Sequence, residues 1–227
     1  MDAPKPLAVQ ALVRCEDERK ILLSGLRQTV LWIERAAGAA PKIALTAAPT
    51  LQTSGSAKPI DIALVFFIAD AAANEADFEP VARSWRRQIL DFTAATDTPL
   101  FLCTVFRHVG PAAENCHRGA VARLERIRRI NMLIVELSQS AGAYVMDIDS
   151  VMAHVGGARL QSDFSMRGRM AAAAAGEVIA SALLNEGLDA HMPAEVLARA
   201  VALHGGRRGI LHRLNKAIAS GDTRGAA

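Results

Sequence analysis

The residues of this 227-residue chain best suited to chemistry are the Cys15 thiol, the imidazoles of His108, His117 and His154, and the carboxylate pair Asp147 and Asp149. Cys15 is a candidate nucleophile, because a thiolate needs less activation than a serine hydroxyl. Its acidic neighbours Glu16, Asp17 and Glu18 oppose thiolate formation, and no base stands beside it in sequence. The competing reading is a small buried hydrophobe. Each histidine is a candidate base or a plain loop residue; His108 follows a strand-like run and so falls on the expected ligand edge. Cys103, His108, Cys116 and His117 tempt toward zinc, but their spacing fits no common ligand pattern, and no metal is expected. Asp147 and Asp149 alternate onto one face, where two carboxylates bind a cation or raise one another's pKa. Their plainer role is to cap a helix starting near Ser150 and to pair with arginines of 121–140.

These residues are positioned by an alternation of strands and helices. Leu7–Val13 reads as a first strand. From Asp17 to Ala37, apolar residues recur at Leu22, Leu26, Val30, Ile33 and Ala37, the spacing of one helix face, until Gly38 and Pro41 stop it. Lys42–Ala48 reads as a short strand, followed by a Pro/Thr/Ser/Gly-rich loop over Pro49–Pro59. Ile60–Asp70 is apolar on both faces, as expected in the middle of a parallel sheet. A helix over Phe78–Ala95, a strand over Leu100–Phe106, a helix over Val121–Ser140 and a strand over Tyr144–Ile148 follow. The long helix turns Leu124, Ile127, Ile130 or Met132, Ile134 and Leu137 inward and places Arg123, Glu125, Arg126, Arg128 and Arg129 on its solvent face. Met166–Leu184 is the closing helix. Such crossovers are right-handed and put helices on both sheet faces, which predicts a three-layer, doubly wound α/β domain over residues 5–186 with a parallel sheet of about five strands. Residues 187–227 form a helical extension, with helices over Pro193–His204 and Arg208–Ser220.

Composition agrees with a packed domain: 51% of residues are apolar and 4% aromatic. The net charge of +3 resides wholly in residues 187–227, where Arg199, Arg207, Arg208, Arg213, Lys216 and Arg224 outnumber the acids. A neutral body with a basic tail argues against a nucleic-acid binder. The first twenty residues lack the apolar core of a signal peptide, and the longest apolar run, Ile62–Ala69, is too short for a transmembrane segment. Three cysteines without paired spacing fit a reduced, cytoplasmic protein. No G-x-G-x-x-G or Walker-type loop follows any strand, so no nucleotide cofactor is expected. The apolar stripe Val196, Leu203, Ile210, Leu211, Leu214 and Ile218 suggests a protein partner or self-association through the C-terminal helices, or packing on the domain itself.

The stretches IDIALVFFIAD, TPLFLCTVF, RLERIRRINMLIVELSQSAGAYVMDIDSVM and LQSDFSMRG…GEVIASALL together resemble the SGNH/GDSL hydrolases over about residues 7–186. That family has a G-x-N-D block after a central strand, a strand after a T-P dipeptide, a helix containing an Asn, a V-x-D-x-D-like strand and a closing D-x-x-H loop. The resemblance implies the α/β fold and a site at the carboxyl ends of the strands, with a carbohydrate or acyl ligand.

The catalytic blocks depart from the family. Its serine nucleophile corresponds here to the segment Arg14-Cys15-Glu16-Asp17, or to Leu23-Ser24-Gly25 if the strand is Lys20–Leu23; neither reads G-D-S. Asp70 stands where the oxyanion-hole Asn would lie, and a carboxylate repels a developing oxyanion. Asn74 is a substitute donor if its loop folds back, or the cap of the helix starting near Asp77. Asp163 matches the acid, but Met166 replaces the general base, and a thioether takes no proton at neutral pH. Members of a triad act as a unit, so such losses remove most of the rate. The expectation is an SGNH-hydrolase-like protein with a decayed Ser-His-Asp triad, acting as a binding or regulatory module beside polysaccharide or lipid metabolism. The alternative is an active acyl-ester hydrolase using Asp163 with Cys15 or Ser24. A phosphoacceptor receiver would use Asp70 but needs a lysine after its last strand, and none lies between Lys58 and Lys216.

Overall fold

A computed structural model describes residues 6–51, 59–73, 77–109 and 117–220. Five strands, β1 (Leu7–Leu12), β2 (Ile43–Ala48), β3 (Ile62–Val65), β4 (Leu100–Cys103) and β5 (Tyr144–Met146), form one all-parallel sheet in the order β2-β1-β3-β4-β5. β3 and β4 are buried along their whole length, which explains their unbroken apolar sequences. The strand order reverses between β1 and β3, and in open α/β sheets the ligand crevice opens at that switch point.

Helices α1 (Glu16–Ala37), α5 (Ile148–Val155), α6 (Gly157–Leu160) and α7 (Arg169–Ala182) belong to one core; α2 (Ile68–Ala72), α3 (Glu79–Ala95) and α4 (His117–Ala141) enclose the other. The layout is the expected three-layer α/β arrangement. α1 starts at Cys15 with Glu16, Asp17 and Glu18 in its first turn, where the helix dipole favours acids. It stops at Gly38, whose left-handed backbone (φ 75°) lets its N–H donate to the Glu34 carbonyl. Against α7, α1 packs very closely: a Cβ at Gly25 would lie 2.6 Å from Ile179 Cγ2. Only a residue without a side chain fits there.

After a π-helical turn at Leu183–Gly187, α8 (Ala194–His204) lies along α1, and α9 (Gly206–Ser220) packs on α7 and α5. Leu197, Ala200, Ile210 and Leu214 are buried in the same core as the sheet. Each large aliphatic side chain there contributes roughly 2 kcal/mol of burial. A polar cluster reinforces the joint. Arg213 donates Nε and Nη2 to the Glu177 carboxylate (3.2 and 2.8 Å) and Nη1 to the His204 carbonyl (2.7 Å). His204 Nε2 lies 3.0 Å from Glu177 Oε2, without the alignment a ring donor requires. Trp32 of α1 meets the His204 ring edge-on and stacks beneath the Arg213 guanidinium. Among the described residues, no helix is long and apolar enough to cross a membrane.

Several boundaries differ from the sequence expectation. The run Ile60–Asp70 is not one strand: β3 ends at Val65, and Asp70 sits in the short helix α2. The last helix of the sheet layer starts at Arg169 instead of Met166, and α4 starts at His117 instead of Val121. On α4, Ile130 faces the core, whereas Met132 is 69% exposed. Arg123 and Arg126 do not lie on a solvent face; both turn inward, as described below.

Candidate functional site at the carboxyl ends of the strands

The chain leaving β1 meets the chain leaving β3 at the switch point. Glu18, fully buried in the first turn of α1, accepts the Arg14 N–H at 2.6 Å and the Ala69 N–H at 2.9 Å. One carboxylate thereby holds the end of β1 and the start of α2 together. Above it, Arg14 forms a two-point ion pair with Asp70, donating Nη1 to Oδ1 at 2.8 Å and Nη2 to Oδ2. Trp85 Nε1 also donates to Asp70 Oδ2 (3.1 Å), and the Arg14 guanidinium lies 4.8 Å from the Trp85 ring centre. Charge-assisted, bidentate geometry makes this a stiff unit. These residues line a cleft of about 360 Å³ with Pro49, Thr50 and Val81.

The other side of α2 is held by α4. Arg126 is buried and donates Nε to the Asp70 carbonyl at 2.6 Å; Arg123 donates Nη1 to the carbonyls of Ala71 and Ala73. A five-residue helix ends in carbonyls without intrahelical partners, and cations satisfy them. This is why two arginines leave the expected solvent face. Asn131 of α4 reads the backbone of Val105 from both sides, accepting its N–H (2.9 Å) and donating to its carbonyl (2.8 Å).

At the ends of β4 and β5, Asp147 caps α5 by accepting the Ser150 N–H at 3.0 Å. Asp149 accepts the Arg107 N–H (2.8 Å) and its side-chain Nε (2.5 Å). Its partner therefore comes from the loop after β4, not from the arginines of α4. Thr104 Oγ1 accepts the Asp149 N–H at 3.0 Å. Both carboxylates are thus engaged in holding the two loops. No group of three or more possible metal ligands occurs among the described residues.

The triad-like positions are dispersed. Cys15, half-buried, is the residue that precedes α1, and burial pushes its thiol pKa up, with the Glu18 charge adding to the rise. Asp163 accepts the Ser165 N–H (3.0 Å) and hydroxyl, a local turn. Met166 is 3% exposed and has a left-handed backbone (φ 53°), with its side chain in the core. His108 stacks on Phe106 and packs on Gly157, and its carbonyl accepts the Phe164 N–H at 2.7 Å. Among the described residues, no hydrogen bond or ion pair joins Asp163 to a histidine, to Cys15 or to Asp70. His154 is exposed on α5. Cys103 is buried in β4 with Sγ 3.7 Å from Met146 Sδ. Asn74 and Cys116 lie outside the described residues. Ser24 lies on α1 and faces Gly176 of α7.

The sequence gives Arg14, Glu18 and Arg126 other roles, and nothing in it marks Trp85. Glu18, three residues after Cys15, was one available signal, because a glutamate there reaches back to the backbone at a helix start. The partners of Trp85 and Arg126 come from α2, and no local pattern announces them.

The chain matches no protein-family model, no curated protein and no solved structure.

Proposed function

We propose that this chain is an SGNH-hydrolase-like protein that has lost its proton-transfer relay and works as a non-catalytic binding or regulatory module, beside polysaccharide or lipid metabolism. The observation that carries the reading is the closed Arg14–Asp70–Trp85 unit at the switch point. An acyl-transfer site needs donors aimed at a developing oxyanion and a base beside a nucleophile. Here the wall of that crevice presents a carboxylate already paired with a guanidinium. Burial raises the Cys15 thiol pKa and so opposes thiolate formation, and Met166 offers no proton acceptor. The motifs in the order of that family, the parallel sheet and the aspartate at 163 support the ancestry.

The test is a panel of short-chain aryl esters and acetylated sugars assayed with purified protein. Turnover no higher than a heat-treated control is expected. Reproducible cleavage that is lost on Cys15→Ser or Ser24→Ala would establish the active ester hydrolase instead. A protein partner or second copy would use what α8 and α9 leave uncovered, Leu203 (49% exposed) with half-buried Val196 and Leu211. Sedimentation as a monomer, without any co-purifying protein, would overturn that part.

A further inference from the structure

A second concavity, which shares no lining residue with the first, lies between α1 and the first turns of α7, with a volume of about 530 Å³. That size falls among small-molecule sites. Its wall on α1 is built from Lys20, Leu23, Ser24, Arg27 and Gln28, which recur at helical spacing along one stripe. Its wall on α7 is built from Arg169, Ala172 and Ala173, and Met166 closes one end. The alanines leave the space: where a bulkier side chain would fill the angle between the helices, a methyl does not.

Two features give the groove a chemical sense. Lys20, Arg27 and Arg169 converge on it as exposed cations, and none forms an ion pair or hydrogen bond among the described residues. Glu16, which also feels the Lys20 charge, pairs with Arg19 at 2.9 Å, and Asp17 pairs with Arg167 at 3.3 Å. Gln28 is 5% exposed, lines the groove, and has no partner for its side-chain amide among the described residues. The amide opens onto the groove and offers a donor and an acceptor to a polar ligand.

From the cationic rim, the recessed apolar floor and this unpartnered amide we infer that the groove binds an amphipathic anion, a hydrocarbon chain bearing one phosphate or carboxylate head. The head lies among Lys20, Arg27 and Arg169; the chain covers Leu23, Met166, Ala172 and Ala173. The ligand is free in solution and not part of a bilayer, because membrane association needs protruding apolar side chains. Met166 and Ala173 are buried, and Leu23 and Ala172 half-buried. The site is separate from the crevice of Arg14 and Asp70 and stands whether or not any hydrolytic activity exists.

The experiment is calorimetric titration of the full chain with octyl phosphate, octanol and inorganic phosphate, plus co-sedimentation with phosphatidylglycerol vesicles. Octyl phosphate is expected to bind one to one, with octanol and inorganic phosphate each at least about tenfold weaker. The Lys20→Ala/Arg169→Ala double variant, both positions being exposed, should weaken octyl phosphate about tenfold while leaving the circular dichroism spectrum unchanged. Ala172→Phe, which fills the floor, should abolish it. The inference is overturned if octyl phosphate does not bind, if the double variant binds it unchanged, or if octanol or phosphate alone binds as tightly. Co-sedimentation with vesicles in the absence of octyl phosphate binding would overturn it equally.

Discussion

Arg14 and Asp70, which are fifty-six residues apart, meet at two points across the ends of β1 and β3, and the indole N–H of Trp85 completes the second carboxylate oxygen. The pair is mostly shielded, with side-chain exposures of 25% and 10%. Removing one member of such a pair leaves the other charge without compensation. Asp70→Ala is therefore expected to cost about 3 kcal/mol in urea unfolding. Arg14→Met combined with Asp70→Ala should cost clearly less than the two single changes added together. Strict additivity would mean the two residues are not coupled.

The joint between the C-terminal helices and the sheet layer makes stability depend on acid. Burial alone would raise the Glu177 pKa, but the His204 and Arg213 contacts outweigh it and hold that carboxyl below the ordinary carboxylate range. A depressed folded value means the contribution is complete above the unfolded pKa of roughly 4.3 and is lost as pH falls through the folded one. Arg35, which lies over the Trp32 ring, and Arg199, which donates to the Ala36 carbonyl, are further cations at this side of α1. Glu177→Gln should flatten the fall in melting temperature across that acidic window. An unchanged acid slope in the variant would assign the dependence to other groups.

The close approach of α1 and α7 gives a prediction of sign. Alanine is the better helix former by about 1 kcal/mol, yet a Cβ at Gly25 would press on Ile179 Cγ2 and Cβ at 2.6 and 2.7 Å. Overpacking of a core costs about 1–3 kcal/mol, so Gly25→Ala should destabilise by thermal or urea unfolding. In an Ile179→Ala background, where Cγ2 and Cδ1 are gone, the cost of Gly25→Ala should shrink. A stabilised Gly25→Ala protein would show that the helices separate freely.

Thiol chemistry offers a fourth check. Burial raises the pKa of Cys15, and of Cys103 far more, because that side chain is enclosed in β4. At pH 7.5, iodoacetamide should label Cys15 more slowly than a free thiol and should leave Cys103 untouched until the chain unfolds. Peptide mass mapping over a time course reads both. Rapid labelling of Cys15 would instead indicate an activated thiolate.

Much of the sheet was legible because its signals are local: buried parallel strands are continuous apolar runs, and the helices between them repeat at three and four. The same rule hid the end of β3. Phe66-Phe67-Ile68-Ala69 is apolar throughout, and an unbroken apolar run does not distinguish a buried strand from a buried helical turn. Arg123 and Arg126 were misplaced for a related reason. An arginine on an amphipathic helix reads as solvent-facing unless its acceptors are known, and here those are carbonyls some fifty residues earlier. Asp147 as a helix cap was readable from adjacent residues; the Asp149–Arg107 pair joins the first turn of α5 to the segment after β4 and was not. The groove between α1 and α7 left only a faint trace, the i, i+4, i+7 spacing of Lys20, Ser24 and Arg27, because its floor needs two helices to exist.

The backbone at Met166 has a consequence for any attempt to graft a base onto this scaffold. Its backbone has a positive φ, and its side chain is buried in the core at the end of the groove. A histidine introduced there would inherit that dryness, and a dry imidazole holds its proton weakly. Met166→His alone therefore leaves the scaffold without a competent proton acceptor; the loop from Ser162 to Gly168 would have to be rebuilt first.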